Sequence, residues 1–158
     1  MATNIVLGIS LGTRYVGIAL LRNGFLTDCR IKPFLSSWSK DKETEILDYL
    51  EKYLITNGIQ TIAQKFSNPD RSSPQLLDLE RGFLKIIDEY QIKIFSYTIS
   101  DIKELCQNSK NHHELSDFLS ERYPYLYTAY NKERKQRKEY YKRMFEAVAA
   151  AHLASREM

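Results

Sequence analysis

Residues 5–21 read Ile5-Val6-Leu7-Gly8-Ile9-Ser10-Leu11-Gly12-Thr13-Arg14-Tyr15-Val16-Gly17-Ile18-Ala19-Leu20-Leu21. Two apolar runs, Ile5–Ser10 and Tyr15–Leu21, flank a Gly12-Thr13 turn. Asn23-Gly24 follows, and Phe25 to Ile31 forms a third extended stretch. β-prone runs on either side of Asn-Gly signal a hairpin, because the tight turn needs positive φ at both central residues. The opening of the chain therefore predicts three antiparallel strands.

The period then changes. Ile46, Leu47, Leu50, Tyr53 and Leu54 recur at helical spacing, which predicts a helix from near Ser39 to the Asn57-Gly58 stop signal. Trp38 is expected to anchor the approach to it. Ile59 to Phe66 is a strand closed by Ser67-Asn68-Pro69-Asp70. Leu76, Leu77, Phe83, Leu84 and Ile87 mark a second helix, and Ile92 to Tyr97 a fifth strand. A short helix capped by Ser100 runs through Cys106, another covers Glu114 to Arg122, and a long last helix spans Lys132 to Ala154.

A hairpin meander followed by two right-handed crossovers builds a mixed five-stranded sheet, three strands antiparallel and two parallel, flanked by helices. The expected architecture is a single α/β domain over residues 1–158, with the first strand central and beside the fourth. Ligands of such sheets bind at the carboxyl ends of the central strands. Ser10 and Gln64 are expected there together, with a helix packed across them.

Composition narrows the class. The 158 residues carry 23 Lys+Arg against 20 Asp+Glu, a net charge of +3. That is too mild to mark the whole chain as a nucleic-acid binder, and too balanced for a disordered acidic protein. The charge is concentrated in residues 132–143. Lys132, Arg134, Lys135, Arg137, Lys138, Lys142 and Arg143 face only Glu133 and Glu139, so the segment carries +5 and the rest −2. Cys29 and Cys106 are too few for a disulfide framework and read as reduced core thiols. No leader pattern and no apolar run of membrane-spanning length occurs, so a soluble, cytoplasmic protein without membrane partners is expected.

The stretch Leu7 to Ala19 resembles the opening motif of RNase H-fold nucleases of the RuvC and YqgF kind, which reads roughly hGhDxGxxxxGhAh with h apolar. The element order resembles that family along the whole chain. Ile62-Ala63-Gln64-Lys65-Phe66 stands where its fourth strand ends in an acid, and Phe145-Glu146-Ala147-Val148-Ala149 where its last helix carries one. The resemblance implies an RNase H-like fold, Holliday-junction resolvase-like activity and catalytic carboxylates at those three positions. Here they are Ser10, Gln64 and Glu146, and the position three before Glu146, acidic in some relatives, is Arg143.

Hydrolysis of a phosphodiester by such an enzyme uses one or two Mg²⁺ or Mn²⁺ ions held by several carboxylates. With Ser10 and Gln64 neutral, only Glu146 remains as a metal ligand, unless Asp70 or Asp101 substitutes for a missing acid. Asp70 also reads as a turn residue and Asp101 as a helix-start residue. The expected reading is a nucleic-acid-binding pseudoenzyme that needs no cofactor. The alternatives are an active metal-dependent endonuclease and a protein-interaction domain.

The cations of 132–143, with Arg14 in the first turn, are the candidate phosphate contacts, preceded by Tyr123, Tyr125, Tyr127 and Tyr130 as stacking platforms. A solvated helix face is the other reading of the same run. DNA or structured RNA is the partner class that the resemblance implies, with a homodimer left open. His112-His113 reads as solvent-exposed loop, and His152 as a packed histidine.

Overall fold

The computed structural model describes residues 4–107, 114–129, 131 and 141–158. Strand β1 spans Ile5–Ser10, β2 Tyr15–Arg22 and β3 Phe25–Pro33. Asn23 and Gly24, at φ of 52° and 83°, make the hairpin turn between β2 and β3 that the Asn-Gly pair predicts. Helix α1 (Lys40–Thr56) starts at Ser39, whose side chain accepts the Lys42 N–H, and ends at Asn57 before Gly58. Strand β4 (Thr61–Lys65), helix α2 (Pro74–Glu89) and strand β5 (Lys93–Tyr97) follow.

Helix α3 covers Ile99–Gln107, α4 Leu115–Arg122 and α5 Lys142–Glu157. The cap of α3 differs from expectation. Thr98, not Ser100, takes that role: Thr98 Oγ1 accepts the Asp101 N–H at 3.3 Å, while Asp101 Oδ2 accepts the Thr98 N–H at 2.8 Å. This reciprocal pairing satisfies two backbone donors at once, which a serine two residues later cannot do. The expected start of the last helix at Lys132 lies outside the described residues, as does His112-His113.

The five strands are ordered β3-β2-β1-β4-β5, with β1–β2 and β2–β3 antiparallel and β1–β4 and β4–β5 parallel. This is the expected mixed sheet, with β1 central beside β4. The sheet has two cores. On one face Leu7, Ile9, Val16, Ile18 and Ile62 pack against Ile46, Leu50, Leu79 and Phe83 of α1 and α2. On the other, Val6, Ala19, Leu21, Ala63 and Tyr97 pack against α5, which α3 and α4 then cover.

Helix α5 is consequently buried on all sides from Met144 to His152. Its run of alanines permits this, and the sheet meets it with glycine. A Cβ at Gly8 would collide with the carbonyl oxygen of Ala147, and one at Gly17 with that of Arg143. The motif glycines of the opening strands are thus the places where the α5 backbone lies directly on β1 and β2. That contact fixes which α5 residue stands over the end of β1.

Candidate functional site

The residue placed there is Glu146. It is 1% exposed, and Ser10, the last residue of β1, is fully buried beneath it. Ser10 Oγ donates to Glu146 Oε1 at 3.0 Å. A carboxylate in such surroundings costs several kcal/mol in lost hydration unless it is paired. Two cations pair it here. Lys65 Nζ lies 3.4 Å from Oε2, and Arg143 Nη1 lies 3.9 Å from Oε1 and 3.4 Å from Ser10 Oγ.

Each partner arrives for a local reason. Arg143 sits one helical turn before Glu146, so the two share a face of α5. Its side chain runs past the first turn, where a Cβ on Gly12 would stand 2.9 Å from Arg143 Nε. Lys65 ends β4 opposite Ser10 in the parallel register. Lys65 Nζ is close enough for an ion pair but does not satisfy hydrogen-bond geometry, so Oε2 has no hydrogen-bond donor among the described residues.

Gln64 is not in this cluster. It pairs with Ile9, and successive strand residues point to opposite faces. Gln64 therefore shares the face of Ile9 and Ile62, both of which lie in the α1–α2 core. There it is fully buried, with neither amide atom hydrogen-bonded among the described residues. The expectation that Gln64 joins Ser10 and Glu146 is corrected by one residue: the β4 side chain at the site is Lys65.

The other candidates separate as follows. Asp101 is committed to the α3 cap, its Oδ2 also accepting from Thr98 Oγ1 at 3.1 Å. Asp70 lies in a single 3₁₀ turn, Pro69–Arg71, where its N–H bonds to Asn68 Oδ1 at 3.0 Å. Asp101 thus has the helix-start role that its position suggests, and Asp70 stands in the turn where its position puts it. Of the candidate phosphate contacts, Arg14 and Lys142 are exposed and Arg143 is partly so. Lys132, Arg134, Lys135, Arg137 and Lys138 lie outside the described residues. His152 is packed as expected, with its Nδ1 2.7 Å from the Tyr123 hydroxyl.

This donor set does not fit a divalent cation. Mg²⁺ and Mn²⁺ need several oxygen ligands, most of them charged. Among the described residues no three His, Cys, Asp or Glu side chains come together in a way that could hold a metal. At Glu146 itself, among the described residues, one carboxylate faces two cations, so the cluster carries +1 before any ion approaches. An incoming Mg²⁺ would be repelled where a hydrolytic site attracts it. What the arrangement suits is an anion.

The sequence matches no protein-family model and no curated protein. In three dimensions the chain is similar to RuvC of T. thermophilus in complex with a Holliday junction substrate. The TM-score is 0.70 at 13% identity, over 97% of this chain and 95% of that one. A second Thermus thermophilus RuvC structure gives 0.66 at 12% identity, over 98% and 96%. Likeness at this level of identity speaks to architecture, and over nearly its whole length the chain has the RNase H-like fold of RuvC.

Proposed function

We propose that this protein binds DNA or structured RNA in the manner of a RuvC-like nuclease while being impaired in phosphodiester hydrolysis. The observation that carries the reading is the pairing of Glu146. At the carboxyl end of β1, where this fold gathers its chemistry, the carboxylate is shared by Ser10, Lys65 and Arg143, and no further acid joins it among the described residues. Hydrolysis by metal-activated water needs ligands that this cluster lacks. Binding needs only cations; Lys65 and Arg143 supply them at the site, and Arg14 and Lys142 are exposed.

Because the similar RuvC structure holds a Holliday junction, a four-way DNA junction is the first ligand to test. The assay pairs low-salt binding with cleavage in Mg²⁺ and in Mn²⁺, on the junction and on a structured RNA. Wild type and Glu146→Gln are compared. Both proteins should bind, and neither should cut above background. Cleavage by the wild type that disappears in Glu146→Gln would refute the impairment. Absence of binding to either nucleic acid at low salt would refute the binding function.

A further inference from the structure

The cations and the carboxylate of this cluster differ in their access to solvent. The side chain of Glu146 is 2% exposed, whereas those of Lys65 and Arg143 are 13% and 29% exposed. The acid is sealed beneath the two bases. A ligand arriving from outside therefore meets positive charge first. A metal ion seeking the carboxylate would have to displace an ammonium or a guanidinium to reach it.

We propose that Lys65 and Arg143 form a metal-independent site for a backbone phosphate, standing on the Glu146–Ser10 pair. The proposal rests on the nucleic-acid reading above and gives it a location. Three features support it besides exposure. The cations approach different oxygens of one carboxylate, Oε2 for Lys65 and Oε1 for Arg143, so Glu146 holds them on either side of itself. Neither contact is tight, at 3.4 and 3.9 Å, which leaves both groups with donor capacity for an incoming anion. The Arg143 side chain also passes over the first turn, where a Cβ built on Gly12 would come within 2.9 Å of Nε, and reaches Ser10 Oγ at 3.4 Å. Arg143 is thus directed across the end of β1.

In this arrangement Glu146 is a positioning residue. It neutralises part of the charge when no ligand is bound and keeps two otherwise repelling cations together. Ser10 adds the hydrogen bond that orients the carboxylate. A phosphodiester, with one negative charge and two free oxygens, would bring the cluster from +1 to neutral. The bond is held and not broken, since nothing in the cluster delivers a metal-bound hydroxide.

Two measurements on the 158-residue chain test this. The first is a Mn²⁺ titration of the free protein followed by electron paramagnetic resonance. No saturable site should appear below about 1 mM, given a carboxylate that is already paired with two cations. One bound Mn²⁺ per chain that is lost in Glu146→Gln would overturn the proposal, whatever the DNA results.

The second is anisotropy with a labelled four-way junction in EDTA, titrated against salt. Lys65→Met and Arg143→Met should each weaken binding roughly tenfold and lower the slope of log K against log[salt] by about 1, the signature of one lost phosphate contact. Lys65→Met leaves Glu146 less well paired and can impair folding. The double variant Lys65→Met/Glu146→Gln removes that burden and should bind as weakly as Lys65→Met. Wild-type binding with unchanged affinity and slope in Arg143→Met and in the double variant would overturn this site alone. No wild-type binding at low salt would overturn the nucleic-acid reading, and this site with it.

Discussion

His152 is 7% exposed, edge-on to the rings of Phe118 and Tyr123, with Arg122 and Arg156 nearby. Burial first, and then the two arginines, push its pKa down from 6.5 to about 4. The folded protein therefore prefers the neutral imidazole more strongly than the unfolded chain does. Its contribution is complete above pH about 6.5 and is lost as pH falls toward 4, where the folded form also protonates. A displacement of this size corresponds to on the order of 3 kcal/mol. Urea unfolding between pH 7 and 4 should show the wild type losing about that much more stability than His152→Gln, which keeps a polar group for Tyr123 but cannot titrate. Parallel pH profiles for the two proteins would contradict the assignment. The histidine was legible in the sequence because it lies among apolar helix residues. Lys65 was not. A strand buried on both faces shows no apolar–polar alternation, so nothing in Ile62-Ala63-Gln64-Lys65 says which residues face α5. A shift of one position exchanges the faces, and it separates Gln64 from the site and brings Lys65 into it.

At the scale of elements, the site depends on how closely α5 lies on the sheet. Gly8 and Gly17 are the contact points, and the obstacles to a side chain there are carbonyl oxygens of α5 itself, which cannot move without moving the helix. Gly8→Ala should therefore cost about 3 kcal/mol in urea denaturation and lift Glu146 away from Ser10. Gly82 provides the contrast. It is in α2, and the tightest neighbour of an added Cβ would be Leu47 Cδ1, at 2.9 Å, the far end of a flexible side chain. Gly82→Ala gains helix propensity of up to about 1 kcal/mol and should be neutral to stabilising. Equal losses at the two positions would show that the α5 contact has no special role. Most elements were readable because their signals are local: Asn23-Gly24 for the hairpin, Ser39 and Gly58 for the limits of α1, and the alanine run for a buried α5. The misplaced cap of α3 shows where local reading fails. Thr98 and Ser100 are both good capping residues, and only the return bond from Asp101 selects between them.

The positive charge is divided between the site and the segment that leads into α5. Residues 132–143 carry +5 of a total of +3, and Arg143 belongs both to that segment and to the Glu146 cluster. If the segment supplies phosphate contacts, as its sequence suggests, its cations and the site cations make separable contributions to one binding event. Reversing Arg134, Lys135, Arg137 and Lys138 to Glu should lower the salt slope by up to about 4, near 0.9 for each lost phosphate contact. It should leave the additional loss caused by Arg143→Met roughly unchanged, since independent phosphate contacts add in log K. The measurement is the same salt titration on the four-way junction, made with the quadruple variant alone and combined with Arg143→Met. An unaltered slope in the quadruple variant would reduce the basic run to a solvated face. An Arg143→Met effect that vanishes in the combined variant would mean that the site engages nucleic acid only when the segment has already done so. The two would then form a single interface.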